Sequence, residues 1–101
     1  MSASGLLVIQ IENMAQSEEI EINCLLTEAI FYNNRKEEDD SFLDKSIQCV
    51  NSADALIKKN IRDSFIELSY DTIINFAETA ITIPGKEKLS EFYIDLFFQR
   101  N

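Results

Sequence analysis

Apolar residues recur with the spacing of an α-helix along most of this chain, and most clearly between residues 53 and 82. The apolar positions of that stretch keep near one helical face for about seven turns, and neither Gly nor Pro interrupts them. They are Leu56, Ile57, Ile61, Phe65, Leu68, Ile73, Phe76, Ala77 and Ile81. We therefore predict a long helix over 53–82, which the polar cluster at 69–71 kinks or splits in two. Pro84 and Gly85 end it, because Pro disfavours helix at the preceding residue and Gly permits a reversal.

Three shorter stretches are also predicted to be helical. Residues 18–33 carry apolar side chains at helical spacing, with Ser17 as the N-cap and acidic residues in the first turn. After a polar loop, Ser41 caps a short helix. The dipeptide at 51–52 ends this short helix and caps the next one. The last predicted helix covers residues 87–99.

The N-terminal part of the chain has two interpretations. Residues 6–11 form a short β-branched apolar run that fits either a strand or the first turns of a buried helix. Ile20, Ile22 and Cys24 alternate with polar residues, as in a half-buried strand. The alternative to the helix at 18–33 is therefore a two-stranded hairpin of 6–11 with 19–25. We expect residues 1–5, which are small and polar, to be a frayed start.

Composition supports the helical interpretation. The chain has only 2 Gly and 1 Pro in 101 residues, too few turn residues for a small sheet-rich domain. Its length corresponds to one domain. The predicted fold is mainly α, a compact bundle of four to five helices over 1–101, with a short N-terminal strand or hairpin as the open alternative.

The chain carries a formal net charge of −9, and most of it lies in the first half. Residues 12–44 hold ten acidic residues against Arg35 and Lys36, so this segment contributes −8. Such a field repels nucleic acid and anionic membranes and attracts cationic proteins. A solvated face that folding tolerates is the alternative explanation. The predicted partner-binding residues are Glu18, Glu19, Glu21, Glu28, Glu37, Glu38, Asp39, Asp40 and Asp44.

The chain lacks the residues on which most catalytic sites depend. It has no His, which removes the commonest general base and the commonest metal ligand. Neither Cys24 nor Cys49 has a basic neighbour in sequence that would activate its thiol. The acidic run at 37–40 lacks the alternating ligands and the Gly of a calcium loop. We therefore predict that the protein is not an enzyme and holds no metal or organic cofactor.

The two cysteines also bear on the compartment. Both lie among apolar residues, and the apolar run at 6–11 is too short for the core of a signal peptide. A secreted chain of this size usually carries more cysteines. We therefore expect Cys24 and Cys49 to be reduced and buried, in a cytoplasmic protein without a membrane span.

Two groups in the second half of the chain are assigned structural roles. For the basic residues Lys58, Lys59 and Arg62, pairing with Asp54 and Asp63 is favoured over phosphate binding. Four aromatic residues near the C-terminus are favoured as core rather than as a partner-helix surface: Phe92, Tyr93, Phe97 and Phe98.

Two kinds of protein fit a small, acidic, His-free helical domain. The first is a stoichiometric inhibitor, such as an immunity protein that neutralises a cationic nuclease toxin, or a viral protein that mimics DNA. Its carboxylates occupy the places where the target binds phosphates. The second is a helical adaptor, secretion chaperone or dimerisation subunit that binds through an apolar face. We predict the first, with a cationic toxin or nucleic-acid-binding protein as partner, no direct contact with nucleic acid or membrane, and homo-oligomerisation left open.

Overall fold

The structure is a computed structural model that describes the backbone of residues 3–62 and 68–97, and the side chains of residues 17–60 and 68–97. Within those ranges the chain forms four α-helices, which are α1 (Ala3–Asn34), α2 (Asp40–Arg62), α3 (Tyr70–Ala80) and α4 (Glu87–Phe97). None of the described residues is in a β-strand. The predicted mainly α bundle is therefore confirmed.

α1 is one continuous helix, so the N-terminal hairpin alternative is wrong. Residues 6–11 and 19–25 both lie inside it. The strand-like alternation has another cause. Ile22 is fully buried, whereas Ile20 is 64% exposed and Cys24 is also exposed, because the two outer residues lie on the opposite face of the helix from Ile22. The expected frayed start includes residues 1–2, which lie outside the described residues.

The helix boundaries predicted at Ser17 and at 51–52 are wrong, because each lies inside a continuous helix. Asn51 and Ser52 face solvent. The buried positions of α2 keep helical spacing across this site: Ser46, Val50, Ala53, Ile57 and Asn60. Packing of the core face therefore outweighs the weak helix propensity of the two polar residues.

The predicted helix over 53–82 is divided, and α3 begins at the polar cluster 69–71. α2 ends at Arg62, and Ser69 precedes α3. Ser69 has extended φ and ψ angles of −71° and 154°, and its side chain accepts a hydrogen bond from the Thr72 N–H. Ser69 is therefore the N-cap of α3.

The turn between α3 and α4 contains the predicted reversal at Gly85. Gly85 has a φ of +85°, in the left-handed region that glycine adopts at little cost. α3 already ends at Ala80, before Pro84, so the helix stops earlier than the predicted end at residue 82. α4 ends at Phe97, and the last residues of the predicted helix over 87–99 lie outside the described residues.

The helices alternate in direction. α1 and α2 are antiparallel, as two contacts at opposite ends of the pair show: Ala29–Ser46 and Glu18–Lys59. α3 runs parallel to α1, and three hydrogen bonds join the two helices in the same order along both: Glu19–Ser69, Asn23–Asn75 and Asn33–Thr82. We call these the α1–α3 polar contacts. Two ring pairs place α4 antiparallel to α3: Tyr70–Phe97 and Phe76–Tyr93.

The core draws side chains from all four helices and from the turn after α3. Its buried members are Ile22, Leu26, Ala29, Val50, Ala53, Ile57, Ile73, Phe76, Ala80, Ile83 and Tyr93. The prediction that both cysteines are buried is wrong for Cys24, which lies on the outer face of α1. Cys49 is partly buried, and both thiols are free.

Candidate functional site

Five of the predicted partner-binding residues lie together where α1 turns into α2, and we call them the acidic turn: Glu37, Glu38, Asp39, Asp40 and Asp44. All five are exposed. Asp39 immediately precedes α2, and its Oδ1 accepts hydrogen bonds from the backbone N–H and the hydroxyl of Ser41, both at 2.8 Å. Asp39 therefore caps α2, in place of the predicted Ser41. The hydrogen bonds from Ser41, the backbone one first, hold the pKa of the Asp39 carboxyl below its usual value.

The other carboxylates of the acidic turn have little to neutralise them. Glu37, Asp40 and Asp44 have no hydrogen-bond or ion-pair partner among the residues that the structure describes. Glu38 lies 3.9 Å from the Arg35 guanidinium, and both side chains are more than half exposed. Such an exposed pair contributes at most about 1 kcal/mol. The acidic turn therefore projects uncompensated negative charge into solvent.

An aromatic cluster, formed by Phe31, Tyr32 and Phe42, lies beside the acidic turn. The ring centroids are 5.4 Å apart for Phe31 and Tyr32, and 5.2 Å apart for Tyr32 and Phe42. The Arg35 guanidinium lies 4.8 Å from the centroid of Phe31, and the Lys45 ammonium lies within 5.5 Å of the other two rings. These two cations therefore face aromatic rings. Phe31 remains 49% exposed, next to the carboxylates, and exposed aromatic side chains are frequent anchors of protein interfaces.

Three of the other predicted residues hold the helices together. The Glu18 carboxylate accepts hydrogen bonds from Lys59, at 2.9 Å, and from Asn60. Burial raises the pKa of Glu18. The hydrogen bonds from Lys59 and Asn60, together with the charge of Lys59, lower this pKa by more than burial raises it, so the net shift is downward. Glu19 accepts from the Ser69 N–H at 2.5 Å. Glu28 accepts from the Cys49 thiol at 3.6 Å.

Glu21, the last of the nine predicted residues, is exposed on α1. It lies between Glu18 and Glu28 along the helix, four turns or so before the acidic turn. The structure therefore brings five of the nine predicted residues together and gives three of the others partners inside the bundle. The acidic run at 37–40 was visible in the sequence, whereas the partners of the α1 acids lie 21 to 50 positions away.

A second surface, which was not predicted from the sequence, lies between the outer faces of α3 and α4. It is a groove of about 420 Å³ lined by Ile74, Ala77, Glu78, Ile81, Ser90 and Ile94. We call it the α3–α4 groove. Its isoleucines are 39% (Ile74), 52% (Ile81) and 42% (Ile94) exposed. The available signal was a second apolar stripe on α3, beside the core stripe, at positions 70, 74, 77 and 81.

Ile81 was predicted to lie on the buried stripe of the helix over 53–82, and this is wrong. α3 buries the face that carries Ile73, Phe76 and Ala80, and Ile81 points away from it. The side chains of Ile61 and Phe65, also on the predicted stripe, lie outside the described residues.

Two basic residues of α2, Lys58 and Lys59, pair with carboxylates. The Lys58 ammonium lies 3.0 Å from the Asp54 carboxylate, four residues earlier, so this pairing is confirmed. The Lys59 ammonium also has a carboxylate partner, Glu18, at 2.9 Å. The side chain of Arg62 and the whole of Asp63 lie outside the described residues.

The aromatic residues of α4 divide between core and surface. Tyr93 is fully buried and Phe97 is partly buried against the core, as predicted. Phe92 is 48% exposed, with the Lys58 ammonium 5.8 Å from its ring centroid, so its assignment to the core is wrong. Phe98 lies outside the described residues.

The described residues contain no group of three or more His, Cys, Asp or Glu side chains placed to hold a metal ion. In the same part of the chain, no helix combines the length and the apolar character that a membrane crossing needs.

Comparison of the chain with protein family models, with curated proteins and with solved structures finds no match. The support for a function therefore comes from the two surfaces themselves.

Proposed function

We propose that this protein is a small acidic inhibitor that neutralises a cationic protein by blocking its active or substrate-binding surface, as an immunity protein does with a nuclease toxin. The acidic turn is the observation that supports this most, because Glu37, Asp40 and Asp44 face solvent without a partner among the described residues. A nucleic-acid-binding protein presents Lys and Arg where phosphates bind. Carboxylates can occupy those places through charge-assisted hydrogen bonds. On this proposal the protein is cytoplasmic and non-catalytic, and it does not itself contact nucleic acid or membrane.

The acidic turn and the aromatic cluster contribute to different steps of binding. Uncompensated charge acts over a Debye length of about 8 Å at physiological salt, so the acidic turn mainly accelerates association. Phe31 makes its contribution after the encounter, when its exposed ring is buried against the partner. Burial of such an anchor slows dissociation.

A quadruple variant tests the acidic turn: Glu37→Gln, Glu38→Gln, Asp39→Asn and Asp40→Asn. Asn caps a helix about as well as Asp, so α2 should remain intact. The wild-type chain first captures its partner from a lysate of the native host, and stopped-flow kinetics then compare the two forms with the purified partner. We expect association to be slower by about 10-fold or more at low salt, with a smaller change in dissociation.

A control removes two charges that lie outside both surfaces, Glu21→Gln and Asp95→Asn, and the slowing is compared per charge removed. Equal slowing per charge by both variants would assign the effect to the overall charge and contradict a docking role for the acidic turn. An association rate that is independent of salt and unchanged in the first variant would overturn the inhibitor proposal.

A helical adaptor is the second candidate, and the exposed isoleucines of the α3–α4 groove favour it. An adaptor binds through its apolar surface, so the acidic-turn variant would bind almost as the wild type does. A polar substitution in the groove, such as Ile81→Ser, would instead weaken binding strongly. The two candidates are distinguished by which of the two variants binds the captured partner more weakly than the wild type does.

A further inference from the structure

We propose that the α3–α4 groove binds the apolar face of an amphipathic helix whose flanks carry Lys and Arg. This inference goes beyond the inhibitor function, because the acidic turn lies on other helices and does not need the groove. It rests on the shape of the groove, on the charges around it and on the kind of backbone that forms its walls.

The groove has the dimensions of a helix-binding site. Ile74 and Ile81 lie on one wall, seven residues or about two helical turns apart. Ile94 stands on the opposite wall. An incoming helix meets such walls with apolar side chains at positions i, i+3 or i+4, and i+7. Tyr70, one turn before Ile74 and 61% exposed, continues the apolar stripe of α3, and its ring centroid lies 6.5 Å from that of Phe97.

The charges around the groove select a cationic partner. Glu78 lines it directly. On α4, Glu87 lies three residues before Ser90 and Glu91 three residues before Ile94, which places both on the groove side of the helix. The sequence of α3 contains no Lys or Arg. On α4, Lys88 lies two residues before Ser90 and therefore on the opposite side of the helix from it, and Lys86 precedes the first turn. A partner helix that places Lys and Arg beside its apolar face therefore meets carboxylates on both walls.

The same charges disfavour the other occupants. A second copy of this chain would bring Glu78, Glu87 and Glu91 against the same three residues, and like charges across an interface oppose association. An extended strand finds no edge to pair with, because the backbone groups of α3 and α4 are used inside the helices. An amphipathic cationic helix satisfies both the apolar and the charged parts of the groove.

A synthetic peptide tests the inference with the full-length chain. The peptide is a helix of about five turns, with Leu at i, i+4, i+7 and i+11 and Lys on both sides of the Leu stripe. A scrambled peptide of the same composition has no stripe and controls for charge. The double variant Ile74→Asn with Ile94→Asn removes one anchor from each wall. We expect it to bind the striped peptide at least about 10-fold more weakly by calorimetry.

A matched control has the same chemistry on another surface: Ile20→Asn with Ile30→Asn, where the two side chains are 64% and 41% exposed on α1. This control should bind within about 2-fold of the wild type. Circular dichroism checks the folding of each variant, and the milder Ile81→Ser replaces the double variant if that loses helicity. Isoleucine methyl NMR on the wild-type chain gives an independent map, in which the signals of Ile74, Ile81 and Ile94 should shift.

Three results would overturn the inference. Equal binding of the scrambled peptide would show attraction by charge alone. Equal weakening by the α1 control would show that the groove has no special role. Dimerisation of the wild-type chain in sedimentation experiments, abolished by Ile81→Ser, would identify a second copy as the occupant. None of these results bears on the acidic turn, so the inhibitor proposal stands or falls separately on the acidic-turn variant.

Discussion

The hydroxyl of Tyr93 donates a hydrogen bond to the carboxylate of Asp54, with 2.6 Å between the two oxygens. This bond joins α4 to α2, and Tyr93 is fully buried. The Asp54 carboxylate also pairs with Lys58 at 3.0 Å. Burial first, and then the hydrogen bond to Asp54, raises the pKa of Tyr93 well above its usual value.

Tyr93→Phe is expected to destabilise the protein by about 1.5 kcal/mol or more at neutral pH, since it removes a hydrogen bond to a charged group. The wild type should also lose stability as the pH rises above about 10, because Tyr93 ionises in the unfolded chain but not in the folded one. The phenylalanine variant should lose less over that range. Urea unfolding at several pH values measures both effects.

Tyr32→Phe is the matched control, because Tyr32 packs in the aromatic cluster rather than in the core between α2 and α4. It should change the free energy of unfolding by less than about 0.5 kcal/mol. Identical losses for the two variants would contradict the assigned role of the Tyr93–Asp54 bond.

Glu18→Gln should lower the free energy of unfolding by about 1 to 3 kcal/mol at neutral pH. The variant replaces the charged acceptor of two hydrogen bonds, from Lys59 and Asn60, by a neutral amide. The pKa of Glu18 is lowered in the folded state. Its stabilising effect is therefore present above the unfolded pKa of about 4.3 and disappears as the pH falls further. The difference between wild type and variant should accordingly shrink in acid. Glu21→Gln, on the exposed side of the same helix, should have almost no effect at any pH.

Two serines should respond to alanine in opposite directions. Ser69→Ala removes the N-cap of α3 and should cost about 1 kcal/mol. Ser52→Ala lies at an exposed position inside α2, where alanine has the better helix propensity, so it should stabilise by up to about 0.5 kcal/mol. Chemical denaturation of the two variants measures both values. A loss at Ser52 as large as that at Ser69 would indicate a helix boundary at 51–52 after all.

The two cysteines should differ in their reaction with a thiol reagent. Cys24 is exposed on α1, whereas Cys49 is partly buried. Burial first, and then the negative charge and hydrogen bond of Glu28, raises the pKa of the Cys49 thiol, which reduces the thiolate that reacts. Native labelling followed by mass spectrometry should therefore modify Cys24 well before Cys49. Equal labelling rates would contradict the described environments, and Cys24→Ser and Cys49→Ser assign the sites.

The fold could be predicted where one face of a helix carries the apolar residues. Ile22, Leu26 and Ala29 have that spacing, and all three are buried. Helix ends were harder to predict from the sequence. A polar pair such as 51–52 does not end a helix when the buried face continues on both sides of the pair, and that continuity depends on tertiary packing. The polar cluster that contains Ser69 predicts either a kink or a break in the helix over 53–82. The packing of α3 against the other helices decides between the two, and the periodicity does not contain that information.

The candidate site could be predicted only where it is local in sequence. The acidic turn is a continuous run with Asp44 one turn later, so its proximity follows from the chain itself. The partners of Glu18 and Glu19 lie on α2 and at the start of α3, more than 40 positions away. The α3–α4 groove needs two helices in a particular register, and periodicity within one helix does not give that register.

The α1–α3 polar contacts have a consequence for the affinity of the groove. A shift of α3 by one turn, about 5.4 Å, would break all three hydrogen bonds at once. α3 therefore has one axial position in the bundle, and the wall that carries Ile74 and Ile81 is set before any partner arrives. Ordering a surface during binding reduces affinity. A groove with a preorganised wall avoids part of that entropic cost, so a short helix can bind it with few anchoring side chains.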